Sequence, residues 1–289
     1  MIYLIFAILA STFILVTLKL FEPFNVNRFI AIAINYLVGA AFGLSYIKWD
    51  INFTGLHVFP WFGMSLITAF LLVCGFVLFS FSASKAGITL TAISSRMSVI
   101  IPVVLGLFIF GDALNFIKIS GIALALLALV LTLWGNGGKS FKLKFIFLPV
   151  LVFVFSGLND SAVKITQALF LSNSTHDYVS YAATAFVFAF ALSTLMVIVT
   201  RSKGGQWKYL NTIIAGSILG LLNWSSIFFM LKGFNQMEVS VFVPLLNVSV
   251  VSLSTLIGFF FFKEKISKIN FAGILLAIFA IVLIAYRTV

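Results

Sequence analysis

Charge is scarce in this 289-residue sequence: only 9% of the residues are charged, and seven acids stand against eighteen lysines and arginines. A soluble domain is about 25% charged, so the composition excludes an ordinary soluble globular protein. The single cysteine, Cys74, excludes an internal disulfide and a cysteine-based metal site. The two histidines, His57 and His176, lie far apart and lack the spacing of a metal-binding pair. We therefore expect no cofactor.

Long hydrophobic runs are abundant, since 62% of the residues are hydrophobic. A bilayer-spanning helix needs about 20 apolar residues, and a helix with a short loop takes about 29, which predicts ten spans. The predicted spans are 2–21, 29–47, 59–82, 88–110, 116–134, 145–170, 178–200, 209–231, 239–262 and 269–286. They should be helices, because lipid offers no partner for an unpaired backbone amide. The predicted fold class is an all-α integral membrane protein, with the first span retained rather than cleaved as a signal peptide.

The two halves of the sequence repeat each other. Residues 77–135 and 227–285 are two versions of one apolar module, and a shift of 152 positions matches pairs of residues within them. The matched pairs are Gly106 with Gly258, Phe110 with Phe262, Asp112 with Glu264, Ile117 with Ile269, Gly121 with Gly273 and Ala125 with Ala277. Because five spans is an odd number, the second copy must lie upside down relative to the first. We predict two inverted five-helix repeats, 1–135 and 145–289, joined by a polar linker at 136–144.

Small residues four positions apart predict close packing between helices in lipid. The pairs are Gly39 with Gly43, Gly121 with Ala125, Gly216 with Gly220, and Gly273 with Ala277. Most lysines and arginines lie instead in the short loops, so we interpret the net charge of +11 as a topology and lipid-headgroup signal and expect no nucleic-acid partner. The loops after odd-numbered spans are the more basic, which places both termini outside by the positive-inside rule.

The first helix of each half carries a serine eight residues before a lysine, at Ser11…Lys19 and Ser156…Lys164. With the Gly…Phe-x-Asp/Glu…Gly stretch that ends each half, this pattern resembles the drug/metabolite transporter superfamily, and within it the ten-helix EamA-like group, over nearly the whole chain. The resemblance implies a central cavity between the halves and export or exchange of small metabolites across a bacterial inner membrane. It also implies cytoplasmic termini, the opposite of the charge count, so both orientations stay open.

Arg96 is the most informative single residue. It lies about 12 Å into the fourth predicted span at 1.5 Å per residue, where an arginine costs at least about 2.5 kcal/mol unless it meets water or a partner. No acid lies three or four residues away on its own span, so its counter-charge must come from another helix or from a substrate. The functional interpretation is a guanidinium that binds a carboxylate or phosphate. The alternative is an interhelical structural pair or an arginine that reaches the interface.

Asn247 corresponds to Ser95 under the 152-residue shift, and both are candidate substrate-binding residues beside Arg96. An amide in hydrocarbon needs a hydrogen-bond partner, either a neighbouring helix or a substrate. Pro102 and Pro244 each remove one helical hydrogen bond and predict bends in the fourth and ninth spans, for function or only for packing.

The sixth predicted span carries Asn159, Asp160 and Lys164. Asp160 and Lys164 are spaced i,i+4 and could simply neutralise each other. Alternatively, Asp160 carries a coupling proton or pairs with Arg96, and Asn159 binds substrate. Lys164, like Lys19, is an interfacial or gating candidate, with an interfacial anchor as the simpler alternative.

Three further candidates for the substrate site are Tyr36 in the second span and Asn223-Trp224 in the eighth. Their amides and rings would supply hydrogen bonds and stacking surface, although such residues often serve only for packing. Asp112 and Glu264 are interpreted as structural residues at helix ends.

The leading hypothesis is a secondary transporter of small anionic or zwitterionic metabolites such as amino acids, working by alternating access, with H⁺ as a possible coupling ion. Its partners would be the substrate and the lipid bilayer, and two fused halves let one chain work alone. The chain has no nucleotide-binding motif, which fits secondary rather than ATP-driven transport. The alternatives are a proton-coupled multidrug or cation exporter, which needs an unpaired acid near the midplane, and an intramembrane lipid-modifying enzyme, which needs carboxylate–metal or histidine clusters.

Overall fold

A computed structural model of the protein describes residues 1–21, 23–49, 53–85, 88–109, 111, 116–133, 145, 147–172, 174–200, 209–262 and 267–285. Within these ranges the chain is helical and contains no strand. The α-helices are α1 Ile2–Leu20, α2 Arg28–Tyr46, α3 Phe62–Lys85, α4 Ile88–Met97, α5 Ile100–Ile109, α6 Phe116–Leu133, α7 Phe147–Leu169, α8 Thr175–Thr200, α9 Tyr209–Phe234, α10 Val239–Phe262 and α11 Lys268–Ala285. A short 3-10 helix at Phe53–Val58 precedes α3.

Six helices in the described ranges are long and apolar enough to cross a membrane, which is consistent with an integral membrane protein. The qualifying segments are Arg28–Tyr46, Phe62–Phe79, Phe147–Leu169, Thr175–Val199, Tyr209–Phe234 and Val241–Phe261. The all-helical fold class is therefore confirmed, and the count of ten spans stays a prediction. The predicted linker at 136–144 lies outside the described residues, as do Asp112 and Glu264.

The fourth predicted span is not one helix, because α4 ends at Met97 and α5 begins at Ile100. Pro102 explains the break: it has no amide hydrogen to donate to the Ser98 carbonyl four residues earlier, and its ring would clash with that carbonyl. The Ser98 carbonyl accepts from Ile101 N at 2.9 Å instead. The break makes Pro102 the third residue of α5, in a first turn whose amides have no intrahelical partner. The prediction of a continuous helix over 88–110 is wrong for this reason.

The end of α4 is closed by a side chain. Ser98 Oγ donates to the Ser95 carbonyl at 2.6 Å, and Val99 N bonds to the Arg96 carbonyl at 3.3 Å in a tighter turn. These bonds satisfy carbonyl groups that a helix end leaves open. Pro244, by contrast, lies within the continuous helix α10, so only one of the two prolines interrupts its helix.

The chain forms two compact units, and each takes segments from both halves of the sequence. Unit 1 comprises Met1–Val73 and Ala162–Asn235, and unit 2 comprises Cys74–Ser161 and Gln236–Val289. The helices α3 and α7 contribute residues to both units. The spatial units are thus a different division of the chain from the predicted sequence repeats. The repeats and their inverted orientation stay a prediction.

In unit 1, α2 packs against α8 and α9, and α1 packs against α9. The contact between α2 and α9 is close because two glycines of α9 face the backbone of α2. A Cβ at Gly216 would lie 2.7 Å from the Ala31 carbonyl oxygen, and one at Gly220 would lie 2.5 Å from the Asn35 carbonyl oxygen. The close packing predicted from the Gly216/Gly220 spacing is confirmed.

In unit 2, α6 packs against α10 and α11, and α5 packs against α10. Small and β-branched residues fill the centre of this contact, where Ala125, Ala128, Val248 and Ala280 form a buried cluster. The first half of α7 approaches α5 at Gly157, where a Cβ would collide with the side chain of Ile101. Unit 2 thereby brings α4, α7 and α10 into one body, and these are the helices that carry the polar residues described next.

Candidate functional site

Arg96 lies in the last turn of α4, directly before the break, and its guanidinium is bound by an amide of another helix. Arg96 Nη1 donates to Asn247 Oδ1 of α10 at 2.9 Å. The amide nitrogen of Asn247 donates to the Val243 carbonyl at 3.1 Å, so both ends of the Asn247 side chain have partners. A guanidinium near a helix C-terminus also faces the negative end of the helix dipole. Two residues that the sequence singled out separately therefore form one contact.

Asp160 of α7 is the carboxylate that attracts Arg96 electrostatically. The two side chains interact through space without a direct salt bridge, since no nitrogen–oxygen contact of 4.0 Å or less joins these two described residues. The role of Asp160, as a proton carrier, as the partner of Arg96 or as a group neutralised by Lys164, stays a prediction. Each charge also has a neutral partner, since the Asn159 side chain hydrogen-bonds to Asp160 and Arg96 donates to Asn247.

Asn159 precedes Asp160 on α7, and its Oδ1 atom is buried without a hydrogen-bond partner in the described part of the chain. A buried acceptor without a partner costs about 1–3 kcal/mol, so it is a position at which a bound molecule can supply a missing donor. Ser95 Oγ forms a hydrogen bond of 3.2 Å with Ser156 Oγ of α7, which ties α4 to the same helix. We call Ser95, Arg96, Asn159, Asp160 and Asn247 the Arg96 cluster.

Sequence reasoning missed two serines of unit 2. Ser161 and Ser252 are buried, and neither hydroxyl has a hydrogen-bond partner among the described residues. Ser161 directly follows Asp160, and Ser252 lies five residues after Asn247 on α10. The run Asn159-Asp160-Ser161 within an apolar helix was the available signal.

The remaining candidates lie in unit 1. Asn223 Nδ2 donates to Asn35 Oδ1 at 3.2 Å between α9 and α2. Trp224 is 5% exposed and stacks on Phe228 at a centroid distance of 5.1 Å, and its indole nitrogen has no hydrogen-bond partner among the described residues. Tyr36 is buried against Phe186, with ring centroids 5.7 Å apart. These contacts join helices within unit 1.

Lys164 is buried, and its ammonium is held by neighbouring groups of unit 1. Lys164 Nζ donates to Gln167 Oε1 at 3.0 Å and lies 5.5 Å from the centre of the Phe234 ring. Gln167 Nε2 donates to Asn235 Oδ1 at 2.5 Å, and Asn235 Nδ2 donates to the hydroxyl of Tyr178. The other gating candidate, Lys19, is in α1, but its side chain lies outside the described part of the structure.

A second lysine of unit 1 also contacts aromatic rings. Lys232 Nζ donates to Thr175 Oγ1 and lies 5.3 Å from the centre of the Tyr178 ring and 6.0 Å from that of Phe228. Ammonium groups over aromatic faces gain about 0.5–2 kcal/mol. Within the described ranges, no three His, Cys, Asp or Glu side chains come together as possible metal ligands.

Comparisons with known proteins place the chain in a family without assigning it a chemistry. No protein-family profile matches the chain. A crystal structure of a protein with 16% sequence identity has a TM-score of 0.79 and covers 98% of this chain and 94% of its own, which shows a shared fold. An uncharacterized protein from Haemophilus influenzae is 30% identical over 294 residues, covering 98% of this chain and 97% of the relative. The chain therefore belongs to the same protein family as this Haemophilus influenzae protein.

Proposed function

We propose that the protein is a secondary transporter that moves small anionic or zwitterionic metabolites, such as amino acids, across a bacterial inner membrane. The observation that carries the proposal is the contact between Arg96 and Asn247, with Asp160 nearby. Placing a guanidinium and a carboxylate inside apolar membrane helices costs free energy. Such groups therefore usually belong to a substrate or ion pathway. The proposal keeps the resemblance to EamA-like transporters as its working family and alternating access as its mechanism.

The Arg96 cluster has the chemistry for such a substrate. Guanidinium groups bind carboxylates through two parallel hydrogen bonds, and Arg96 uses Nη1 on Asn247. Asp160 offers an acceptor for a substrate ammonium, and the unpartnered Asn159 Oδ1 offers another. The site therefore presents one cationic group on α4 and two oxygen acceptors on α7, both within unit 2.

The break between α4 and α5 supports the same proposal. Many secondary transporters bind substrate where transmembrane helices are discontinuous, because the interrupted backbone must line a cavity or meet protein groups. Arg96 lies two residues before Ser98, the first of the two residues between the helices. Alternating access would expose this position to each side of the membrane in turn.

The test is a thermal-shift screen of the detergent-purified protein against amino acids, organic acids, sugars, nucleosides and cationic dyes. A compound at 100 times its dissociation constant stabilises the folded state by about 2.7 kcal/mol. We expect stabilisation by a carboxylate-bearing compound, abolished in Arg96→Ala and retained in Arg28→Ala. Arg28 is the matched control because it is an exposed arginine at the start of α2.

The cation-exporter alternative predicts a different pattern in the same screen. Stabilisation by cationic dyes alone, lost in Asp160→Asn and unchanged in Arg96→Ala, would replace our proposal with that one. Uptake into proteoliposomes of the compound that stabilises the protein would then establish transport as opposed to binding alone.

A further inference from the structure

The charges of Arg96 and Asp160 determine how the charge of a bound substrate is compensated within the protein. The hydrogen bond of 3.2 Å between Ser95 and Ser156 brings α4 beside Arg96 against α7, one helical turn before Asp160. Arg96 and Asp160 attract each other there without a direct salt bridge. Asn247, the side chain that does touch Arg96, is neutral. The pair therefore adds no net charge when both groups are ionised.

Binding of a substrate changes this balance in a way that depends on the substrate's own charge. A monoanion on Arg96 puts two negative charges beside one positive charge in a medium of low polarity. Leaving a buried charge uncompensated costs several kcal/mol. A zwitterion adds no net charge, because its carboxylate faces Arg96 while its ammonium faces Asp160.

Few other charges can restore the balance. Lys164 follows Asp160 by one helical turn on α7, but its ammonium donates to Gln167 and lies over the ring of Phe234. From α4 the charged group is Arg96. The described contacts of α5 and α10 with this region come from Ile101 and from the amide of Asn247, which do not titrate. Among the described side chains beside Arg96, Asp160 is the group that can change its charge.

We propose that Asp160 takes up one proton from water when a monoanion occupies Arg96, and that the ammonium of a zwitterion takes the place of this proton. The proton binds to a carboxylate oxygen of Asp160 and returns to water when the anion leaves. One proton then moves with each monoanion in the same direction, none moves with a zwitterion, and both transport cycles carry no net charge. The transport consequence rests on the proposed function, whereas the proton exchange can be tested without a substrate.

The test removes the positive charge of Arg96 by substitution. The variant imitates the protein with a substrate anion bound, because the anion neutralises the charge of Arg96. Infrared difference spectroscopy at pH 7 detects the carbonyl band of a protonated carboxyl group. We expect that band in Arg96→Gln, where Asp160 has lost its counter-charge, and its loss in Arg96→Gln with Asp160→Asn. The matched control is Arg96→Gln with Glu238→Gln, which removes an exposed carboxylate and should keep the band.

A missing band in Arg96→Gln would overturn the proposal, because Asp160 would then stay ionised, for example by turning to Lys164. If Arg96→Gln does not fold, Arg96→Met preserves the unbranched stem and tests the same point. If neither folds, wild type is compared with Asp160→Asn across pH. A band assigned to Asp160 that appears only on acidification supports the proposal, and one already present at pH 7 overturns it. The infrared test uses no transported compound, so its failure leaves the thermal-shift test of function independent.

Discussion

The two units hold their helices together and accommodate their cations in different ways. In unit 1, α2 and α9 touch through glycine and backbone, and the lysine ammonium groups lie over aromatic rings. In unit 2, alanine and valine side chains fill the contact of α6 with α10 and α11, and Arg96 contacts an amide with a carboxylate across a gap. Close approach of helix backbones therefore distinguishes unit 1, and a pair of opposite charges distinguishes unit 2.

The largest expected effect tests the glycine packing of unit 1. Gly220→Ala would push a methyl group to 2.5 Å from the Asn35 carbonyl, a backbone atom that cannot rotate away. Overpacking of this kind costs typically 1–3 kcal/mol, and we expect about 3 kcal/mol here. Reversible unfolding in mixed micelles measures the free energy of unfolding.

Gly63→Ala is the control for this measurement, because a Cβ at Gly63 meets no atom within 4 Å. It should change the free energy of unfolding by less than about 0.5 kcal/mol. If both substitutions cost the same, the close contact of α9 with α2 does not stabilise unit 1.

The second prediction compares one asparagine from each unit. Asn247→Ala removes a hydrogen bond to a guanidinium and should cost about 2 kcal/mol, since hydrogen bonds to charged groups contribute about 1.5–3 kcal/mol. Asn223→Ala removes the neutral bond to Asn35, and such interhelical bonds in membrane proteins average about 0.6 kcal/mol. The same unfolding assay measures both. Equal costs would contradict the view that unit 2 depends more on charge than unit 1 does.

The smallest effect is expected at Trp224. Trp224→Phe keeps a ring to stack on Phe228 and removes an indole N–H that has no described partner. Relief of an unsatisfied donor, about 1–3 kcal/mol, offsets the loss of buried ring surface, so the net change should stay below about 1 kcal/mol. A cost well above that value would mean that the indole N–H has an acceptor in the folded protein.

Sequence reasoning was strongest where local composition decides the structure. The apolar runs correctly predicted a helical chain, and the Gly216/Gly220 spacing correctly predicted a close contact between helices. Each of these features depends on the size and polarity of side chains that are near each other in sequence. The partner of Arg96 could not be derived in this way. Asn247 is 151 residues away, and the meeting of α4 with α10 depends on packing across the whole of unit 2.

The break after Arg96 was missed for a different reason. A proline inside an apolar run predicts a bend. Whether the helix bends or ends depends on which nearby groups can donate hydrogen bonds to the carbonyl oxygens that lose their helical partner. At Pro102 the Ser98 hydroxyl and a tighter turn do so, and the helix ends. At Pro244 the helix continues. The unpartnered atoms of Asn159, Ser161 and Ser252 depend on side-chain rotamers, which a sequence does not reveal.

The gap at Ser98–Val99 also has a mechanical consequence. The helices α4 and α5 are two helical rods joined by two residues. Rotation about such a joint changes a few backbone angles and leaves the hydrogen bonds inside each rod unbroken, as at hinges in other proteins. Arg96 sits at the end of α4 beside the joint, so such a rotation moves its backbone little and chiefly changes the direction of its guanidinium.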